Sequence, residues 1–130
     1  MGKVILLVED DEDNRDLVEF VIARSRLDLE LILAVNGQEA VDSLKKRRPD
    51  LILMDMQMPV MDGYTAVSII KADPQYKSIP IIAFTALARP EDIARTRTLG
   101  CVEHYTKPMD PEELLNIIQK YTGTSNQGSS

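Results

Sequence analysis

Two rhythms of apolar and polar positions alternate along the chain. Short, nearly continuous apolar runs are separated by longer stretches in which apolar residues recur every three or four positions. The first run, Lys3–Val8, is rich in β-branched residues and predicts a strand buried on both faces. Asp11–Ser25 follows with acids at its start and a stripe of Leu17, Val18, Val21 and Ile22, which predicts an amphipathic helix. Glu30–Val35 predicts a second strand. The next helix is signalled at both ends, by Asn36 as N-cap with Glu39 three residues on and by basic residues in its last turn before Pro49. Asp50–Met54 predicts a third strand, and after a turn at Pro59 and Gly63 the stripe of Ala66, Val67 and Ile70 predicts a helix stopped by Asp73-Pro74. Ile79–Phe84 predicts a fourth strand. Pro90 and Gly100 bracket a helix with a thin apolar stripe, and Cys101–Tyr105 is the weakest of five strands. The last helix has Asp110 as N-cap, Pro111 as first residue and a stripe of Leu114, Ile117, Ile118 and Tyr121.

Five strand–helix units with no room for hairpins imply parallel strands joined by crossover helices, a doubly wound α/β domain. The domain is expected over residues 1–122, and residues 123–130 (GTSNQGSS) read as a flexible polar tail or the start of a linker. The length of 130 residues suits one domain with one core. A formal net charge of −6 argues against direct contact with nucleic acid. The single cysteine, Cys101, has no partner for an internal disulfide and is expected as a small core residue in a cytoplasmic protein. Neither a membrane span nor a signal-peptide design is visible.

In doubly wound sheets, polar residues at the carboxyl ends of the strands collect in one crevice. Those ends carry Glu9, Asp10 and Asp11 after the first strand, Asp55 after the third, Thr85 after the fourth and Lys107-Pro108 after the fifth. Several carboxylates gathered at a buried edge need neutralising, or their pKa values rise. The ammonium of Lys107 and a divalent ion are the two cations that fit. A site of oxygen ligands without His or Cys favours Mg²⁺ or a similar hard ion such as Mn²⁺. The chemistry this suggests is phosphoryl transfer, in which positioning and charge stabilisation do most of the catalysis. Of the remaining acids, Asp11, Glu12 and Asp13 read as a solvated helix start favoured by the macrodipole, and Asp62 as a turn or cap residue before Gly63. Met54 is expected in the core, with Met56, Met58 and Met61 along the loop. Lys45–Arg48 reads as a helix C-terminal charge cluster.

VED after the first strand, DMQMPVMDG after the third, TA after the fourth and KP after the fifth resemble the receiver domain of two-component response regulators, especially single-domain chemotaxis-type regulators. The resemblance runs from Lys3 to about Tyr121. It implies a flavodoxin-like sheet of order 2-1-3-4-5 and a signalling switch, not a metabolic enzyme. Asp55 would accept a phosphoryl group from a sensor histidine kinase or histidine phosphotransfer protein. Glu9, Asp10, Asp55 and the backbone carbonyl of Gln57 would hold the metal, and Lys107 would pair with Asp55 and then with the phosphoryl group. Thr85 and the backbone N–H of Ala86 would bind phosphoryl oxygens, and the Lys107–Pro108 peptide would be cis. Thr85 would draw inward and admit His104, which stands where Tyr or Phe is commoner. The face of the fourth helix, fifth strand and fifth helix would then bind a downstream protein, an output domain or a second copy. Its helix carries Arg89, Arg95 and Arg97 and is expected to be movable. Gln57 and Leu87 would influence the lifetime of the phosphorylated state.

Three other readings compete. A receiver-like module could bind without phosphorylation, but the full set of Asp55, Thr85, Lys107 and paired acids speaks against it. A haloacid-dehalogenase-type phosphatase would carry a second Asp where Gln57 stands, and a cap-sized insertion. A flavin carrier would need a Ser/Thr/Gly-rich phosphate loop where this chain has five acids.

Overall fold

The computed structural model describes residues 2–58, 60–86 and 89–124. Pro59, Leu87 and the tail from Ser125 onward, all considered above, lie outside the described residues. The strands are β1 (Lys3–Val8), β2 (Leu29–Ala34), β3 (Leu51–Asp55), β4 (Ile81–Thr85) and β5 (Glu103–Thr106). The helices between and after them are α1 (Glu12–Ser25), α2 (Gly37–Lys46), α3 (Gly63–Ala72), α4 (Pro90–Leu99) and α5 (Pro111–Thr122). All strand pairs are parallel, in the order β2-β1-β3-β4-β5. This is the expected doubly wound fold.

Alternation along the strands divides the core in two. On one face Ile5, Leu7, Leu51, Leu53, Ile82 and Phe84 pack with Val21 of α1 and Leu114, Ile117 and Ile118 of α5. On the other, Leu6, Val8, Ile52, Met54, Ile81 and Ala83 pack with α2 and α3. The central strands β1, β3 and β4 are covered on both faces, which is why their sequences read as unbroken apolar runs. No helix among the described residues is long and apolar enough to cross a membrane.

The caps at Asn36 and Asp110 follow the sequence signals, and Asp11 adds one where the sequence predicts only a solvated acid. Asp11, Asn36, Asp62 and Asp110 each accept backbone N–H bonds at the start of α1, α2, α3 and α5. At α2, Glu39 also accepts from the backbone N–H of Val35 at 3.0 Å. Gly100 ends α4 with φ 106°, a left-handed position suited to glycine. Cys101 is buried, and burial pushes its thiol up to about 11, as befits an inert core residue.

Three expectations need correction. Asp55 is the last residue of β3, paired with Phe84, and not the first residue beyond the sheet. Met56 is 1% exposed and packs in the core beside Met54, because alternation puts both on one face; Met58 and Met61 are half-buried against the same cluster. Only Lys45 and Lys46 belong to the last turn of α2. Arg47 pairs with Glu30, and Arg48 donates to the Gln75 carbonyl and to Ser78 Oγ at 3.0 Å. The thin apolar stripe of α4 goes with a polar buried side: its buried residues are Asp92 and Thr96. Arg89 at its start and Arg95 are exposed and also make contacts within the chain. Arg89 Nε pairs with Asp92 at 2.8 Å, and the Arg95 guanidinium lies 3.8 Å from the centroid of the Tyr64 ring.

Candidate functional site

The alternation that builds the core also aims the site. Glu9 continues the Ile5, Leu7 series, Asp55 the Leu51, Leu53 series, and Lys107 follows Tyr105, which packs with Phe84. All three side chains therefore leave the sheet toward the α1–α5 side, where they line one cavity with Asn14, Phe84 and Pro108. The hydrophobic strands are rigid because they are buried, so the polar ends are held in a fixed relation.

Lys107 is shared. Its Nζ lies 2.8 Å from Asp55 Oδ2 and 2.7 Å from Glu9 Oε1. Asp55 is 2% exposed and Glu9 4%, so both carboxylates face one ammonium in a nearly dry place. Burial and the neighbouring Asp55 raise the Glu9 carboxyl to about 7, despite its hydrogen bond from Lys107. Burial pulls the Lys107 ammonium down, but its bonds to Asp55 and Glu9 outweigh this and its pKa is raised. Asp10 is exposed at the rim. Oxygens of Glu9, Asp10 and Asp55 all lie within 4.8 Å of one another. Three carboxylates with one ammonium leave a surplus of negative charge, and an all-oxygen donor set of this span fits a hard divalent cation.

Asp55 Oδ1 accepts from the backbone N–H of Gln57 at 3.0 Å. The loop after Asp55 turns sharply enough that the start of α3 touches β3. A Cβ on Gly63 would lie 2.4 Å from the Asp55 carbonyl oxygen and 2.6 Å from Met56 Cα, so only glycine fits. Thr85 ends β4 fully buried, and its carbonyl accepts from the Lys107 N–H at 2.8 Å. The Lys107–Pro108 peptide is cis.

His104 pairs with Ala83, which puts it on the face of the sheet that carries Ala83 and, two residues on, Thr85. Thr96 Oγ1 donates to the Ile93 carbonyl at 2.8 Å and lies 3.3 Å from His104 Nδ1. With the hydroxyl proton committed to Ile93, the imidazole donates from Nδ1, which leaves Nε2 as the acceptor. That Nε2 is buried and meets no hydrogen-bond partner among the described residues. Burial lowers the pKa of His104, opposed by Asp92 and assisted by Arg97.

Sequence reasoning missed two contacts. Arg15 donates from Nη1 to the carbonyls of Glu9 and Asp10, both at 3.0 Å, and so pins the β1–α1 turn that carries the acids. Its position five and six residues after those acids, near the start of α1, was the only available signal. The Gln57 side chain reaches across to β4: its Oε1 accepts from Thr85 Oγ1 at 2.7 Å and from the Ala86 N–H at 3.1 Å. A glutamine in a turn gives no sign of such a contact.

Residues 5–119 match the family model for the response regulator receiver domain. The chain is 38% identical over 123 residues to the polar-differentiation response regulator DivK of Brucella anthropi, covering 95% of this chain and 98% of that protein. It is similar to the solved receiver domain of the sensor histidine kinase PA1611 of Pseudomonas aeruginosa PAO1, which has a magnesium ion coordinated in its active-site cleft. The two are 36% identical with a TM-score of 0.84, over 95% and 99% of the respective chains. The Mn²⁺-bound form of response regulator Rcp1 is 32% identical with a TM-score of 0.80, over 92% and 91%. With a family match spanning most of its length and relatives that align end to end, the chain belongs to the response regulator receiver domains.

Proposed function

We infer that this protein is a phosphorylation switch in which Asp55 is the phosphoacceptor. The observation that carries the reading is Asp55 at the end of a buried strand, bonded to Lys107 and within reach of Glu9 and Asp10. An Asp55 carboxylate oxygen forms a bond to the phosphorus of a phosphohistidine on a histidine kinase or phosphotransfer protein. The P–N bond breaks, its electron pair stays on the imidazole, and that nitrogen takes a proton from solvent. The Lys107 ammonium neutralises the nucleophile before transfer and meets a phosphoryl oxygen after it. The Thr85 hydroxyl and the Ala86 N–H donate to the remaining phosphoryl oxygens.

Mg²⁺ or Mn²⁺ would be held by Glu9, Asp10, Asp55 and the Gln57 carbonyl, and would supply charge neutralisation between carboxylates and phosphoryl oxygens. The metal-bound relatives support this assignment. Lys107 already occupies Glu9, so Asp10 and Asp55 are the more direct ligands, with Glu9 charge shared between the ammonium and the metal. Movement of Thr85 toward the phosphoryl group reaches His104 on the same sheet face and, through Thr96, α4. The α4–β5–α5 face then binds a downstream protein, an output domain or a second copy. We place the protein in the cytoplasm, where histidine kinases present their phosphohistidine. Family membership favours neither the phosphatase nor the flavin-carrier alternative.

Intact mass after incubation with a small acyl phosphate and Mg²⁺ tests the reading. Wild type gains one phosphoryl group and Asp55→Asn does not. A wild type that never gains the mass would instead identify a phosphorylation-independent binding module, and a gain retained in Asp55→Asn would mean a different nucleophile.

A further inference from the structure

One oxygen already sits where the two phosphoryl donors converge. The Thr85 hydroxyl, 2.7 Å away, and the Ala86 N–H, 3.1 Å away, both point at Gln57 Oε1. A backbone N–H can only donate, so the atom facing it is the carboxamide oxygen and not its nitrogen. The same residue is tied to the nucleophile, because its own N–H donates to Asp55 Oδ1 at 3.0 Å. Asp55 pairs with Phe84, so Thr85, which ends β4, and Ala86 just past it are the next two residues along the neighbouring chain segment. Gln57 thus bridges from the acceptor carboxylate to the two donors, and its side-chain oxygen is a neutral copy of a phosphoryl oxygen bound in a two-donor hole.

We propose that Gln57 is an internal competitor for the phosphoryl site: its carboxamide oxygen occupies the Thr85–Ala86 donor pair until a phosphoryl oxygen on Asp55 displaces it. The proposal rests on the reading of Asp55 as phosphoacceptor. The direction of exchange follows from charge and exposure. An anionic oxygen accepts hydrogen bonds about twice as strong as a neutral one. Gln57 is exposed, so its carboxamide regains water when it leaves. The competitor therefore yields to the phosphoryl group, and it lowers the apparent affinity for that group by the net worth of the bonds given up. It also keeps the buried Thr85 hydroxyl and the Ala86 N–H engaged in the unphosphorylated state, and it returns to them when the phosphoryl group departs.

Beryllium fluoride, a non-hydrolysable phosphoryl mimic, is titrated at saturating Mg²⁺ into wild type, Gln57→Met, Gln57→Glu and Asp55→Asn, and binding is followed by amide NMR. Methionine keeps the length and bulk of Gln57 and removes the strong acceptor; glutamate makes the acceptor anionic. Gln57→Met is expected to bind the mimic about fivefold more tightly, equivalent to about 1 kcal/mol of net hydrogen bonding. Gln57→Glu is expected to bind more weakly than wild type, and Asp55→Asn not at all. Before any mimic is added, the Ala86 amide proton is expected to shift upfield in Gln57→Met, a signal that a merely structural role for the side chain would not produce. An Ala86 amide unmoved in Gln57→Met, or an affinity that does not rise, overturns the competition. A wild type that binds no mimic overturns the Asp55 reading and the competition with it. That failure is distinguishable because it appears in the wild type, before any Gln57 variant is compared.

Discussion

Lys107 holds two buried carboxylates together, and its replacement by methionine gives a loss of stability whose size changes with pH. Methionine keeps the apolar stem and removes the ammonium that lies 2.8 Å from Asp55 and 2.7 Å from Glu9. The Asp55 contact is a charge-assisted hydrogen bond in a nearly dry place, worth about 2 kcal/mol. The Glu9 contribution depends on its protonation. Its carboxyl is already raised from 4.5 to about 7 in the folded protein. At pH 8 the variant must either hold Glu9 ionised beside Asp55 or protonate it, and protonation one pH unit above that value caps the extra cost at about 1.4 kcal/mol. At pH 5 Glu9 is already protonated in the folded wild type, so this contribution vanishes and the Asp55 share remains. The expected loss is therefore about 3–4 kcal/mol at pH 8 and about 2 kcal/mol at pH 5, in metal-free buffer. For a chain of 130 residues the larger figure lowers Tm by about 12 °C. Urea denaturation of wild type and Lys107→Met at the two pH values measures both numbers. A loss below about 1 kcal/mol at pH 8, or one that is larger at pH 5, would refute the reasoning.

Three further outcomes follow from other parts of the molecule. Val60 is 86% exposed with φ 70°, a left-handed backbone that a β-branched residue adopts at a cost of roughly 1–2 kcal/mol, so Val60→Asn should raise stability by about 1 kcal/mol in the same assay; no gain would place the strain elsewhere. Gly63→Ala should destabilise by about 3 kcal/mol and reduce phosphorylation of Asp55, because a Cβ 2.4 Å from the Asp55 carbonyl oxygen forces α3 away from β3; a near-neutral effect by urea denaturation and intact mass would count against this packing. His104 has its pKa lowered by burial, so below pH 6.5 the unfolded chain takes the proton more readily than the native one; stability contributed by the neutral ring is present above that pH and is lost as pH falls. Wild type should accordingly lose stability relative to His104→Phe between pH 7.5 and pH 5.5, and a difference that stays constant across that range would show that the ring titrates freely.

Much of the site was legible along the chain. Unbroken apolar runs identify central parallel strands, since only strands covered on both faces lack polar alternation. The polar residues that end those runs must then gather at one edge, which brings Glu9, Asp10, Asp55, Thr85 and Lys107 together before any coordinate is known. The caps at Asn36 and Asp110 were legible too, because they act within a few residues of themselves, whereas Asp11 reads only as an acid at a helix start and Asp62 as a turn or cap. Met56 was misjudged because a residue just past a strand can continue the strand's alternation into the core, and its neighbours in sequence do not reveal whether it does.

The sequence by itself therefore determined the order of elements, the parallel sheet and the roster of the crevice, all of which follow from local periodicity and strand-end position. Tertiary structure alone decided how those residues are paired. Lys107 divides itself between Glu9 and Asp55, the Gln57 carboxamide crosses to Thr85 and Ala86, and α4 settles on a polar underside through Asp92 and Thr96. The first two join residues far apart in the chain, and a difference of an ångström or two selects one partner over another. Periodicity assigns a side chain to a face or an edge, but only the packed sheet and helices set the distances at which hydrogen bonds and charges choose.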